Sequence, residues 1–499
     1  MGAIDMSIVN VAVPYIQASL GVSITEIAWI STGYIIALVI VMPLTSWLSL
    51  RFGRKRVYMI CVVLFTAASF MCGQSRTLPM LTFFRIIQGF GAGAMQPIQQ
   101  AILRETFPPE KQAMAMGIFG VAVMIGPAIG PTLGGWITDN YHWPWIFFIN
   151  IPIGFVALWM IQLWVHDPPY LRAQGRQAGA DLPGIALLAI GLATLQTVLE
   201  EGQTWDWFSS DLIVWLSIIS FVCLVCFLVW ESRTPSPAVD FTVLKDPSFA
   251  TGTVIGGVLG LSLFASMFLL PLFMQELLGY TATQSGLMLM PRALAMILFM
   301  PIAGALYNRV GPKVMVGSGL LIAGFGAMMM SRFSLDIGEE GLLVPQVIQG
   351  AGFCFVFVAL STAALSGIPR SRMTAATGLY NLIRQLGGSF GTAIFATMLE
   401  RDQQSNRSVM VKFATPYNSV FQNWMLQLQQ LFQSIGSDAH TASMQSLKVI
   451  DEMMSQQAAM LAYDRAFFII GALFFICVPM VLLLRAPSRI GHAPEPVGE

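Results

Sequence analysis

The stretch SWLSLRFGRK (46–55) returns later in the chain as GALYNRVGPK (304–313). Leu48, Arg51, Gly53 and Lys55 match Leu306, Arg309, Gly311 and Lys313 at an offset of 258. A second pair, RIIQGFG (85–91) and QVIQGAG (346–352), matches at an offset of 261. Two independent pairs at nearly one offset indicate a duplicated chain. Both copies of each motif fall on segments running in the same direction, so the repeat is parallel.

The solvent of this duplicated chain follows from its composition. Of 499 residues, 56% are hydrophobic and 10% are charged. A soluble chain carries about 25% charged residues. The composition therefore describes a polytopic membrane protein. The formal net charge is zero, which gives no footing for a nucleic-acid partner. All six cysteines lie in apolar runs, and Cys223 and Cys226 form a CxxC with no second ligand pair, so they read as small helix-core residues. No histidine lies inside an apolar run, so no metal site is expected. No GxxxxGK[ST] is present, so nucleotide hydrolysis is not the expected energy source. No cofactor is expected.

A spanning helix needs about 20 mostly apolar residues. Fourteen segments qualify: 2–19, 26–49, 57–75, 79–103, 114–137, 145–165, 183–200, 211–230, 250–272, 285–307, 314–332, 343–366, 375–398 and 464–485. The expected fold class is an all-α polytopic membrane protein with two pseudo-symmetric six-helix bundles. The repeat pairs spans 1–6 with spans 9–14 and leaves two accessory spans between them. The domain reading is 1–166 for the first bundle, 167–249 for the accessory spans and linkers, and 250–486 for the second bundle, with a tail at 487–499. Most Lys and Arg residues fall in alternate short loops, including Arg51, Arg54, Lys55, Arg56, Arg172, Arg176, Arg309, Lys313, Arg485 and Arg489. Positive charge marks the cytoplasmic side, so both termini are expected there. A long outer loop, 399–463, contains FQNWMLQLQQLFQSI and is expected to form one or two amphipathic helices. It reads equally as a lipid-surface connector and as a docking surface.

Four spans carry polar or backbone features that need a physical reason. In GVAVMIGPAIGPTLGGWI, Gly126, Gly130 and Gly134 recur every four residues and share one face, with Pro127 and Pro131 beside them. Such a face permits close helix approach, and the prolines remove backbone hydrogen bonds. In LTFFRIIQGFGAGAMQPIQQAI, Arg85 sits inside an apolar helix, where a charge costs at least a few kcal/mol unless paired or hydrated. It either snorkels to the outer surface or meets a carboxylate or an aqueous cavity. Gln88, Gln96, Gln99 and Gln100 follow on the same span. Arg292 and Arg384 lie within two later spans.

These motifs together resemble the major facilitator superfamily over essentially the full length. The chain resembles in particular the 14-span drug:proton antiporters of the EmrB/QacA type, and among them the EmrB-like export permeases. The GP-rich span resembles that family's antiporter motif, which implies a bendable seam near the interface of the halves for Gly126, Pro127, Gly130, Pro131 and Gly134. The loop bearing Arg51, Gly53, Arg54 and Lys55 resembles the family's G-x-L-a-D-R-x-G-R-K. Ser46 and Leu50 depart from it, and Leu50 removes the usual acidic anchor of an ion-pair latch; Asn308 stands at the same position in the second copy. Span 4 resembles R-x-x-Q-G. The stretch NLIRQLGGSFGTAI (381–394) resembles a family R-Q-x-G-G-S segment, and HWPWIFFINIPIG (142–154) resembles the entry to span 6. IDMSIVNVAVP (4–14) resembles L-D-x-T-I-V-N-V-A-L-P, whose acid is implicated in proton coupling or cationic-drug binding.

The resemblance implies a proton-driven multidrug exporter of the inner membrane for apolar or cationic compounds. It also implies that the proton gradient supplies the energy and that loop 399–463 docks a periplasmic adaptor and outer-membrane channel, as in EmrB-like pumps. A transporter of one metabolite or siderophore is the alternative reading, and a non-transporting receptor is more remote. The proton-coupling candidates are Asp5 and Arg85. The cavity candidates are Asn10, Gln88, Gln96, Gln349 and Arg384. Asp5 falls in the first turn of span 1. It reads as a solvated helix-start acid if Met1 opens the helix. It reads as a buried, proton-exchanging group if the span continues upstream, since burial disfavours the charged form. The expectation is an internal start at Met1, with one to a few turns preceding it.

Overall fold

A computed structural model describes residues 1–168, 181–234 and 237–484. The cations Arg172, Arg176, Arg485 and Arg489 and the tail 487–499 lie outside the described residues. The chain folds into long helices joined by short turns: α1 (Gly2–Leu20), α2 (Trp29–Phe52), α3 (Arg54–Gly73), α4 (Leu78–Thr106), α5 (Pro109–Asn140), α6 (Asn150–Trp164), α7 (Leu182–Glu201) and α8 (Asp211–Glu231). The second part holds α9 (Pro247–Glu276), α10 (Ala282–Val310), α11 (Pro312–Met330), α12 (Glu339–Ala364), α13 (Met373–Val411), α14 (Ser419–Ser434) and α15 (Ala439–Cys477). Short polar residues set many of the starts. Ser23 and Thr281 form capping boxes with Glu26 and Gln284, and the side chains of Asp181, Asp246 and Asp438 accept from backbone N–H groups of the first turns.

Twelve helices among the described residues are long and apolar enough to cross a membrane. The other two expected spans correspond to α4 and α13. Both are long helices, and both carry the arginines and glutamines noted above, which lower their mean hydropathy.

The duplication is visible in the packing. Helix α1 packs on α5, α2 on α4, α3 on α4 and α3 on α6. In the second part α9 packs on α13, α10 on α12, α11 on α12 and α11 on α15. The set repeats on moving eight helices along, with the loop helix α14 skipped. The interface between halves obeys the same operation, because α5 packs on α10 and α13 packs on α2. Gly53 and Gly311, the matched glycines of the opening motif, both have positive φ, 88° and 85°. There an L side chain would strain the turn, which explains why both copies keep glycine.

Helix–helix association in lipid gains little from the hydrophobic effect, so close backbone contact matters more. Helix α5 uses it twice. Near its start, Gly117 faces the carbonyl of Met300 on α10, and Gly304 of α10 faces Ala113 and Met114. Further along, Gly126, Gly130 and Gly134 meet Ala3, Ser7 and Ile8 of α1. One helix thus joins α1 to the opposite half.

The accessory helices differ from one another. Helix α7 packs on α2, α13 and α8, and so touches both halves. Helix α8 exposes Leu212, Trp215, Phe221 and Leu228, a surface suited to lipid. The long loop contains a single separate helix, α14. The rest of the loop extends α13 and α15, each 39 residues and so about 58 Å long. The extensions are clasped by ion pairs, Arg407 with Asp451 at 2.7 Å and Arg465 with Asp402 at 2.9 Å.

Candidate functional site

Asp5 is 1% exposed. It is a first-turn residue, yet that turn lies deep in the bundle. Its neighbour Ala3 packs on Gly126, near the middle of the 32-residue α5. The solvated reading of Asp5 therefore fails. Arg85 of α4 donates from Nη1 to Asp5 Oδ2 at 2.6 Å. The same nitrogen donates to Gln88 Oε1 at 2.7 Å, and Nε donates to the Ile30 carbonyl at 3.3 Å. Gln88 Nε2 donates to Asp5 Oδ1 at 2.9 Å and to Ser69 Oγ at 2.6 Å. Asn150 Nδ2 completes the shell, donating to Asp5 Oδ1 at 2.9 Å. The guanidinium lies 4.3 Å from the Tyr34 ring centroid. Arg85 is 1% exposed, so it does not snorkel to a surface.

Five helices build this cluster. Its spacing was half visible in sequence: Arg85 and Gln88 are three apart and so share a face of α4. Asn150 and Ser69 were missed. Asn150 had a signal, since it is the polar residue in the apolar run FFINIPIG.

The second half keeps the frame without the charge pair. At the offset of 261, Ser266, Gln346 and Gln349 stand where Asp5, Arg85 and Gln88 stand. Gln349 Nε2 donates to Ser266 Oγ at 3.4 Å, as Gln88 donates to Asp5. Arg292 instead enters from α10. Its guanidinium carbon lies 5.0 Å from the Phe353 ring centroid, and neither Nη atom has a hydrogen-bond partner.

The two halves meet on the side of the basic loops. Arg54 grips Glu105 through two hydrogen bonds, 2.7 and 2.9 Å, and reaches Thr374 of the other half at 3.2 Å. An ion-pair anchor is thus present without an acid at position 50, and it is built with Glu105. Deeper in, Thr377 Oγ1 donates to the Pro97 carbonyl at 3.0 Å, Asn381 to Gln100 at 2.7 Å and Arg384 to Gln96 at 3.1 Å. Asn308 donates to the Glu110 carbonyl. Lys55 is held by Asp167, through its backbone N–H, and by the Gln162 carbonyl. Arg51, at the end of α2, is exposed.

A cavity of about 300 Å³ lies between the halves. It is lined from the first turns of α2 and the last turn of α7, on the side away from the basic loops. Asn10, Tyr34, Arg85, Glu200, Phe264 and Ser389 line it. Of the residues expected to face a cavity, Asn10 does so. Gln88 belongs to the Asp5 cluster, Gln349 is buried in the second half, and Gln96 and Arg384 pair at the closed interface. Gly126, Gly130 and Gly134 pack within the first half against α1. The contacts to the other half come earlier on α5, at Gly117 and Gly120. The side chains of Pro127 and Pro131 lie outside the described residues.

Residues 1–392 match the model of the Major Facilitator Superfamily. The fatty acid resistance protein FarB of Neisseria gonorrhoeae is 33% identical over 98% of this chain and 95% of its own length. The multidrug export protein EmrB of Escherichia coli K12 is also 33% identical, over 98% of this chain and 94% of its own. Among solved structures, the proton:xylose symporter XylE superposes with a TM-score of 0.60 at 15% identity, covering 96% of this chain and 91% of that one. The duplicated helices, the family match and these relatives place the chain in the Major Facilitator Superfamily: it is a membrane transporter, not an enzyme.

Proposed function

We propose that the protein is a proton-driven multidrug exporter of the inner membrane. It would have fourteen spans, both termini cytoplasmic, and domains at 1–166, 167–249 and 250–486. The observation that carries this reading is the buried Asp5–Arg85 pair at the edge of the cavity between the halves. Among the described residues Arg85 is the ion-pair partner of Asp5; such a carboxylate can exchange a proton when the surrounding helices move, and Arg85 then sets how strongly the proton is held. The closed contacts beside the basic loops, with the cavity on the far side, support an outward-facing arm of alternating access. Release of the substrate outward, protonation of Asp5 and return to the inward-facing arm complete the cycle. Helix α5 ties Asp5's helix to the other half through its two glycine contacts, which makes it the seam along which protonation is felt. The names of the relatives, a multidrug export protein and a fatty acid resistance protein, support export of small apolar molecules. The stalk formed by α13, α14 and α15 is the proposed docking surface for a periplasmic adaptor and an outer-membrane channel.

The test is transport by the purified protein in proteoliposomes under an imposed proton gradient. Gradient-dependent movement of ethidium, abolished in Asp5→Asn, is the expected result. Equal transport by wild type and Asp5→Asn overturns the coupling role.

A further inference from the structure

Resting on the exporter reading, we propose that Glu200 makes the accessory helix α7 a wall of the substrate site, as the carboxylate that receives the positive group of an organic cation. Two charged side chains line the cavity, Arg85 and Glu200. The charge of Arg85 is already met by Asp5 at 2.6 Å. Glu200 has no lysine or arginine within ion-pair distance among the described residues, so its negative charge is the one the cavity presents.

Its neighbours hold it in place without neutralising it. Gln196 Nε2 donates to Glu200 Oε1 at 2.7 Å and also donates to Ser389 Oγ of the second half at 2.7 Å. Other charged groups have hydrogen-bond partners of their own. Glu201 accepts from Thr32 of the first half at 3.1 Å, Glu400 accepts from Gln203, and Arg384 is engaged by Gln96 and Asn381. Trp207, just beyond α7, donates to Thr397 at 2.8 Å. The carboxylate is therefore mounted on a helix end pinned to both halves.

The rest of the wall suits the same ligand class. Tyr34, Phe264 and Phe268 line the cavity with aromatic rings. A cation over ring faces with a carboxylate beside it, out of bulk water, gains from both interactions. An anion would meet Glu200 directly. In the sequence Glu200 is one of two acids closing an apolar segment. Only the insertion of α7 between the halves turns it inward.

Equilibrium binding to the full chain in detergent tests this, using two probes of the same shape and opposite charge, tetraphenylphosphonium and tetraphenylborate. Glu200→Gln is expected to weaken tetraphenylphosphonium binding by about tenfold or more, while tetraphenylborate binding is unchanged or stronger. Glu200→Asp is expected to restore most of the cation binding. Equal weakening of both probes, or unchanged cation binding in Glu200→Gln, overturns the proposal. Charge-selective binding in a wild-type protein that shows no gradient-driven transport supports the site and overturns the exporter reading instead.

Discussion

Asp5 and Arg85, 80 positions apart in sequence, meet at 2.6 Å inside the first half, and neither is more than 1% exposed. Removing one partner of a buried pair strands the other, which costs about 3–5 kcal/mol. Asp5→Asn and Arg85→Gln should each lower the thermal midpoint in detergent markedly. The double variant should be more stable than the sum of the two losses, with a coupling above about 1 kcal/mol. Additive losses would show that the pair is not an energetic unit.

The α1–α5 contact grades the glycines. A Cβ at Gly126 would come within 2.6 Å of the Ala3 backbone, which has no side chain to yield. At Gly130 it would meet the Ser7 side chain at 2.5 Å, and at Gly134 the Ile8 carbonyl at 3.1 Å. Alanine should therefore destabilise most at Gly126 and least at Gly134, within a span of about 1–3 kcal/mol for overpacking. Thermal unfolding of the three variants checks the order.

Thr374→Val removes the hydrogen bond from Arg54 across the halves and leaves Arg54–Glu105 intact. One such bond to a charged group contributes about 1.5–3 kcal/mol. The expected effect is a shift away from the conformer closed beside the basic loops. A spin-label distance between the Arg51 and Arg370 positions, measured by double electron–electron resonance, should show a larger fraction of long distances.

Arg292 has two Nη atoms without partners and one aromatic neighbour, Phe353. Replacing an uncompensated buried cation with an apolar side chain of similar length is expected to stabilise, by about 1–4 kcal/mol. Arg292→Met should raise the thermal midpoint with cation binding retained. A fall in midpoint would mean that Arg292 has a partner in the working protein.

Much of this protein was legible in the sequence. The apolar segments, the parallel repeat and the side of the basic loops are local or periodic properties, and helices in lipid must satisfy their own backbone groups. The opening motif was legible for the same reason, since Gly53 and Gly311 meet a backbone demand that acts within one turn. What the sequence left open was depth and partnership. Asp5 read as solvated or buried until Ala3 was placed against the middle of α5. Asp5 and Arg85 stood together as candidates through the family resemblance, but their contact was not readable, because the two lie 80 residues apart on different helices. Asn150 and Glu200 were ordinary polar residues near helix ends until the packing of α6 and α7 turned them inward. Hydropathy fixes which segments are buried in the membrane. Which polar side chains face one another depends on the rotation and offset of each helix, and those are set by close contacts such as Gly126 on Ala3, which only the tertiary structure decides.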